Sequence, residues 1–335
     1  MTSNENKKRM ISGIKPTAVP TLGNYLGAIK PFVSYQDEYD LVLFIADLHA
    51  LTIYQEPKEL RENTDNLIAI YLAAGLDPSK VKIFKQSDVP AHNQLEWVLT
   101  CNTQLPELTK MPQYKNFVER HPGESVPAGM LLYPSLMNAD ILLYDADYVP
   151  VGVDQKPHVD LTRDIAERFN KIYGTTFTMP QAVLAKTGAK IMSLSDPTKK
   201  MSKSESDKGT IYLLEDVEIT RKKIMKALTD CDDKVCYDPI KKPGVSNLLN
   251  IYCAITGCTI EAAEAEFKNV ENYGAFKRAV ADVVCNEMLK IQESVNRLKN
   301  EDRHKMIETL RAGKEYATEL ANSKIEEVYK KIGLK

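Results

Sequence analysis

Leu41, Val42, Leu43, Phe44, Ile45 and Ala46 follow one another without a polar break. A run of strand length that does not alternate suits a parallel strand covered on both faces. A shorter β-prone run over 9–14 precedes it and ends in Gly13, Ile14, Lys15, Pro16 and Thr17. Thr21, Leu22, Gly23 and Asn24 then open a helical pattern carried by Tyr25, Ala28, Ile29 and Phe32. After the apolar run, Pro57 marks a helix start, Leu60, Leu67, Tyr71 and Ala74 keep helical spacing, and Gly75 is its stop. Residues 81–84 supply a third strand. This alternation predicts a βαβαβ unit, whose ligands bind beyond the carboxyl ends of its strands. Asp47 and His49 fall at such an end.

Between 91 and 144 the pattern turns helical, broken by a polar, Gly- and Pro-bearing stretch over 114–127 that reads as a loop. Residues 147–151 predict a fourth strand, running into Gly152, Val153, Asp154 and Gln155 and a helical period over 159–173. Ile191, Met192, Ser193 and Leu194 read as the last short strand. Beyond Tyr212 only helical periods remain, over 217–228, 245–255, 260–267, 276–298 and 306–332. The expected fold is α/β: a Rossmann-like doubly wound parallel sheet over 1–212 with a helical insertion at about 91–144, then an α-helical domain over 213–335.

At 335 residues and 43% hydrophobic content the chain can bury a sizeable core. Residues 1–10 are polar and charged with no apolar signal segment, and no window approaches an uninterrupted apolar 18-mer. The expectation is a cytoplasmic protein with no membrane contact. A net charge of −2 argues against gripping DNA by overall attraction. Residues 277–335 carry +3 against −5 for the rest, which permits a local RNA-facing surface. Six cysteines, four of them in a C-x4-C…C-x4-C pattern (Cys231, Cys236, Cys253, Cys258), read as reduced thiols, and no metal site is expected of that spacing.

The densest chemistry lies at 196–204, where Lys199, Lys200 and Lys203 share a Pro-opened loop with Ser202 and Ser204 and almost nothing apolar. Ammoniums act as mobile point charges on phosphoryl oxygens, and hydroxyls add neutral hydrogen bonds. Lys200-Met201-Ser202-Lys203-Ser204 spells the KMSKS signature of class I aminoacyl-tRNA synthetases. Thr21-Leu22-Gly23-Asn24 stands in the place of their HIGH signature, with Thr and Asn where histidines are usual. Further stretches over 11–17, 47–50, 133–142 and 149–155 narrow the match, and the chain resembles the bacterial-type tryptophanyl-tRNA synthetases from about Arg9 to its end.

That resemblance implies activation of L-tryptophan by ATP with Mg²⁺, transfer to tRNA(Trp), a homodimer, and helices of the 213–335 domain that meet the anticodon. It implies that Asp140 accepts the indole N–H, and that Gln155 and Tyr133 hold the substrate ammonium. Ile11, His49, Met137, Val149 and Val151 would wall the pocket. Lys15, Pro16, Thr17, Gly23, Asn24, Gly152, Val153, Asp154 and Ile191 would seat ATP, with Lys200, Met201, Ser202, Lys203 and Ser204 closing on its phosphates. Lys200, Lys203, Thr21 and Asn24 would serve catalysis. Read from the residues alone, Asp140 is a helix-borne carboxylate that needs an N–H partner, and His49 suits a packed neutral ring equally well. Lys15 stands where relatives often have Gln and Val153 where Glu is common; Lys115 and Arg120 are both candidates for the family's mobile-loop cation. The rival readings are a tyrosyl-tRNA synthetase, a nucleotidyltransferase of the same superfamily, and a non-catalytic tRNA-binding paralogue.

Overall fold

The computed structural model describes residues 7–184, 190–202 and 208–335. Five strands, β1 (Arg9–Ile14), β2 (Asp40–Ile45), β3 (Lys82–Lys85), β4 (Tyr148–Val151) and β5 (Gln181–Leu184), form one sheet in the order β3-β2-β1-β4-β5. All neighbours are parallel; Ile11 pairs with Val42, and Met10 with Tyr148. The order reverses between β1 and β4, so the crevice at their carboxyl ends is where a doubly wound sheet takes its ligand.

Every residue of β2 is buried, and its side chains alternate between two cores. Leu41, Leu43 and Ile45 join the cluster beneath helices Pro57–Ala73, Pro243–Thr256 and Tyr273–Asn300. Val42, Phe44 and Ala46 join the cluster beneath Ala91–Cys101, Ala128–Leu142 and Lys156–Tyr173. Each fully buried Leu or Ile here contributes about 1.5–3 kcal/mol, so this strand anchors both layers.

The helix that follows β1 has three parts: an α-turn Leu22–Asn24, a π-turn Tyr25–Ile29 and an α-helix Lys30–Glu38. Pro31 lacks an N–H and would break an α-ladder. The wider turn, closed by the Lys30 N–H on the Tyr25 carbonyl, lets the helix continue. This helix is also tied to the C-terminal helices. Tyr25 donates to Glu287 Oε1 at 2.5 Å, and Lys30 Nζ donates to the Ala254 and Ile255 carbonyls, the negative end of Pro243–Thr256.

Two local expectations are corrected. The fifth strand is Gln181–Leu184 and not 191–194: Ala182 and Val183 pair with Val149 and Pro150, whereas Met192 is drawn away into an antiparallel bridge with Lys200. The Asn247 side chain holds Met192 from both sides, accepting from its N–H at 2.8 Å and donating to its carbonyl at 2.9 Å. Within the stretch expected to be a loop, Pro112–Arg120 is an α-helix with Pro at its start, and 121–127 is irregular.

Among the described residues no sheet strand follows Leu184, but the helical tail is not packed only on itself. Arg303–Ile332 returns along the edge strand β3, and Gly313 lies so close that an added Cβ would stand 1.9 Å from the Ile83 carbonyl oxygen. Ala317, Ala321, Ile325 and Val328 complete the second core. The return covers an edge that would otherwise offer unpaired backbone groups.

Candidate active site

Three loops meet at the carboxyl edge of the sheet. The first starts after β1, where Lys15 places its Nζ 5.4 Å from the centre of the Tyr133 ring and burial pulls its ammonium below the ordinary lysine range. Pro16 is buried and Thr17 half-buried. Thr21 caps the helix that follows. Its Oγ1 accepts from the Asn24 N–H at 3.2 Å, and the Asn24 Oδ1 accepts from the Thr21 N–H and hydroxyl at 3.1 Å. This reciprocal pair satisfies donors that a helix start leaves open, so both residues have a structural duty here.

The lysine loop forms the second wall. Met201 N–H donates to the Ile191 carbonyl at 3.0 Å, and Ser193 N–H to the Lys199 carbonyl at 2.8 Å. An added Cβ on Gly23 would lie 3.5 Å from Ile191 Cβ, Met201 Cβ and the Met201 carbonyl. The helix start and the loop therefore touch at Gly23, with Met201 buried and Lys200 left exposed. Ser202 is half-buried; Lys203 and Ser204 lie outside the described residues.

The turn after β4 forms the third. Gly152 packs on Asp154, and Gln155 Nε2 donates to Asp154 Oδ2 at 3.1 Å. Desolvation raises the Asp154 carboxyl most strongly, but the Gln155 hydrogen bond and the Lys200 charge together carry it below its ordinary value. The structure thus brings the second and third walls within electrostatic reach. Val153 is 76% exposed, and Lys115 and Arg120 both stand exposed on Pro112–Arg120.

Below this rim lies Asp140, fully buried on helix Ala128–Leu142. Its Oδ2 lies 2.8 Å from His49 Nε2, and its Oδ1 2.7 Å from Gln86 Nε2 and 2.6 Å from His92 Nδ1. Desolvation alone would raise this carboxyl. His49 opposes it by charge and hydrogen bond, with His92 assisting, and the balance carries it down to about 2. His49 is therefore part of the hydrogen-bonding shell of the Asp140 carboxylate. Its ring lies 4.4 Å from that of Tyr133, whose phenol burial, helped by the Asp140 charge, pushes up to about 12. Ile11 and Val149 lie in the apolar cluster behind, with Met137 and Val151 packed against it.

Among the described residues, His49 Nδ1, both ring nitrogens of His158, Ser135 Oγ and Asn138 Nδ2 are buried without a side-chain partner at hydrogen-bond distance. Buried polar groups are normally satisfied, so water or a bound polar group would complete these atoms. Burial carries His158 down to about 4. A histidine that stays neutral while the unfolded chain takes up a proton confers stability fully present above about pH 6.5 and lost as pH falls toward 4. At about 1.4 kcal/mol for each tenfold change in proton affinity, the loss reaches roughly 3 kcal/mol. Urea melts at pH 7 and pH 4.5 should show a larger loss in wild type than in His158→Gln; equal losses would deny the neutral, buried state.

The sequence reading missed Gln86, His92 and Tyr144. Gln86 was open to discovery, since it follows the carboxyl end of β3, where ligands are expected. His92 and Tyr144 carry no such mark, because their position is a matter of helix packing. Among the described residues no group of three His, Cys, Asp or Glu side chains is placed to hold a metal ion, and the Cys253 and Cys258 sulfurs lie 3.5 Å apart as free thiols.

A family model described as tRNA synthetases class I (W and Y) matches residues 3–290. The chain belongs to this family. It is 46% identical over 329 residues to a tryptophan–tRNA ligase of Caldanaerobacter subterraneus subsp. tengcongensis, covering 98% of each chain. Among solved structures of the class I W and Y synthetases, the tryptophanyl-tRNA synthetase of Mycoplasma pneumoniae superposes with a TM-score of 0.91 at 35% identity, covering 98% of both chains. That of Campylobacter jejuni, reported in complex with ADP and tryptophan, superposes with a TM-score of 0.81 at 32% identity, covering 97% of this chain and 99% of its own. The parallel sheet and helical tail expected from the sequence are those of the family.

Proposed function

We infer that the chain is a tryptophan–tRNA ligase, which activates L-tryptophan with ATP to tryptophanyl-adenylate, releases pyrophosphate and passes the amino acid to tRNA(Trp). The observation that carries the substrate choice is Asp140: a buried carboxylate, kept ionised, among rings and unpartnered polar atoms at the crevice of the sheet. An indole presents one N–H on a large apolar ring, and this site offers one buried acceptor among aromatic and aliphatic walls. Tyrosine would bring a phenol instead, and the full-length relatives are tryptophan ligases. Tryptophan-dependent exchange of pyrophosphate into ATP, run beside tyrosine, tests the reading, and exchange with tyrosine alone would overturn it.

In the proposed reaction the tryptophan carboxylate attacks the α-phosphorus and pyrophosphate leaves, so no nucleophilic side chain is required. Catalysis is then positioning and charge stabilisation. Tyr133 and Gln155 would hold the ammonium, and Lys15, Thr17, Gly23 and the turn over 152–154 would seat ATP. Lys200 and Lys203 would meet charge growing on the leaving group, which the helix start at Thr21–Asn24 would share. Mg²⁺ would enter on the phosphates, since it keeps waters and takes few protein ligands in such sites. Lys115 and Arg120 are both candidates for the cation that the Pro112–Arg120 segment would bring to the phosphates. The C-terminal helices would meet the anticodon, in the cytoplasm; among the described residues no helix is long and apolar enough to cross a membrane.

A homodimer is part of the same proposal. Trp97 on helix Ala91–Cys101 is 68% exposed and Tyr54 83% exposed, with Leu51, Ile53 and Leu105 also in solvent. Contiguous exposed apolar patches mark interaction surfaces, and these side chains would form one. Interface tryptophans are commonly worth about 2 kcal/mol or more, so Trp97→Glu should weaken self-association by roughly 30-fold or more. Sedimentation over a dilution series checks this, and an unchanged dimer would place the interface elsewhere.

A further inference from the structure

Asp140 Oδ1 already accepts from two donors, Gln86 Nε2 and His92 Nδ1, whereas among the described residues Oδ2 accepts from His49 alone. A carboxylate has about four acceptor positions. The remaining one is thus on Oδ2, the oxygen beside His49, and His49 is the member of the group that lies against Tyr133. Behind Oδ1 the structure is closed: Gln86 and His92 are fully buried, and Tyr144 is 1% exposed.

The proton positions follow from the partners. An ionised carboxylate can only accept, so His92 carries its proton on Nδ1. Its Nε2 lies 2.8 Å from the Tyr144 hydroxyl and, in this tautomer, accepts from it. Burial first, then the Asp140 charge, keeps the Tyr144 phenol protonated and able to donate. The Phe84 ring flanks both, 6.0 Å from His92 and 5.7 Å from Tyr144, and all three side chains are buried. Gln86 is aimed in the same way, since its Oε1 accepts from the His49 backbone N–H at 3.4 Å and so turns its amide NH₂ toward Asp140.

We propose that Tyr144, His92 and Gln86 are positioning residues for substrate selection: a sealed donor shell that saturates one oxygen of Asp140 and leaves the other to accept a ring N–H. The proposal rests on the reading of Asp140 as the indole acceptor. Selectivity is then set in part by side chains that never touch the amino acid. If Tyr144 loses its hydroxyl, His92 Nε2 is left buried without a donor, and the ring is no longer held at the end away from the carboxylate. Asp140 is then no longer held in one orientation.

The test compares tryptophan with the analogue whose ring N–H is replaced by sulfur, using pyrophosphate exchange in wild type, Tyr144→Phe and His92→Phe. Tyr144→Phe removes a single oxygen, and thermal melting checks that each variant is folded. In both variants KM for tryptophan should rise by roughly tenfold or more, the scale of an unmade hydrogen bond to a charged group. The sulfur analogue should keep its KM and kcat, so the tryptophan preference falls by the same factor. ¹⁵N shifts of His92 should report Nδ1–H in wild type, and the Nε2 signal should move in Tyr144→Phe as its hydrogen bond is lost. A preference unchanged in both variants, or parallel losses for both substrates, overturns the donor shell while leaving Asp140 as the acceptor. A wild type that does not prefer tryptophan over the sulfur analogue overturns the acceptor reading itself, and the shell with it.

Discussion

Asp140→Asn is expected to lower kcat/KM for tryptophan by about 10³–10⁴ and to leave any activity with tyrosine nearly unchanged. The magnitude comes from what the amide must face. Three N–H donors converge on the carboxylate, two on Oδ1 and one on Oδ2. Either orientation of an asparagine sets an NH₂ against at least one of them. The less costly orientation puts the NH₂ beside His49, where one described donor stands and not two. That is also the side on which a substrate N–H would be accepted, so the indole then meets a donor. A site built to satisfy a polar group rejects what leaves it unpaired far more strongly than an apolar wall distinguishes sizes. Pyrophosphate exchange with both amino acids, with a melting curve to show the variant is folded, decides the matter. Near-wild-type kcat/KM for tryptophan would make Asp140 a structural residue and remove the basis for the substrate assignment.

The contrast between Asp140 and its shell shows which part of such a site a sequence carries. Asp140 is legible because an acid ahead of Ile141, Leu142 and Leu143 on an apolar helix demands a partner. What that partner is depends on three separate segments: the short helix Asp47–Ala50 after β2, the turn after β3, and the first turn of Ala91–Cys101. Only the packing of helix on sheet brings His49, Gln86 and His92 to one carboxylate. The same division runs through the fold. Leu41 to Ala46 announced a strand covered on both faces because its burial is a property of its own residues. Gln181–Leu184 did not, being a four-residue edge strand whose pairing is decided by β4. Ile191 to Leu194 has strand-like composition but spends its hydrogen bonds on Lys199, Gly209 and Asn247. Gly313 was equally silent: a glycine inside a helix reads as a weak point until the backbone of Ile83 is found against it.

Lys200→Ala is expected to slow tryptophanyl-adenylate formation by about 10²–10³ while leaving equilibrium binding of tryptophan within a few-fold of wild type. The geometry separates the two effects. Lys200 belongs to a loop anchored away from Asp140: its backbone bridges to Met192, Asn247 clamps that residue, and the adjoining Met201 is buried against Gly23 at the helix start. Its own side chain is exposed, and the acid that its charge reaches is Asp154 in the turn after β4. A cation there is useful where phosphate charge develops, and it has no apolar face with which to line an indole pocket. When a contact is made mainly in the transition state, its loss falls on the rate of the step and not on substrate affinity. Lys200→Arg should recover only part of the rate, because a planar fork does not replace a compact ammonium at a moving phosphate. Lys203 carries the second lysine of the same signature, and Lys203→Ala should behave in the same way. Single-turnover activation beside a tryptophan titration provides the two numbers required. An unchanged activation rate in both alanine variants would remove the loop from the chemistry, and lost tryptophan affinity with normal activation would show that it shapes the amino-acid pocket instead.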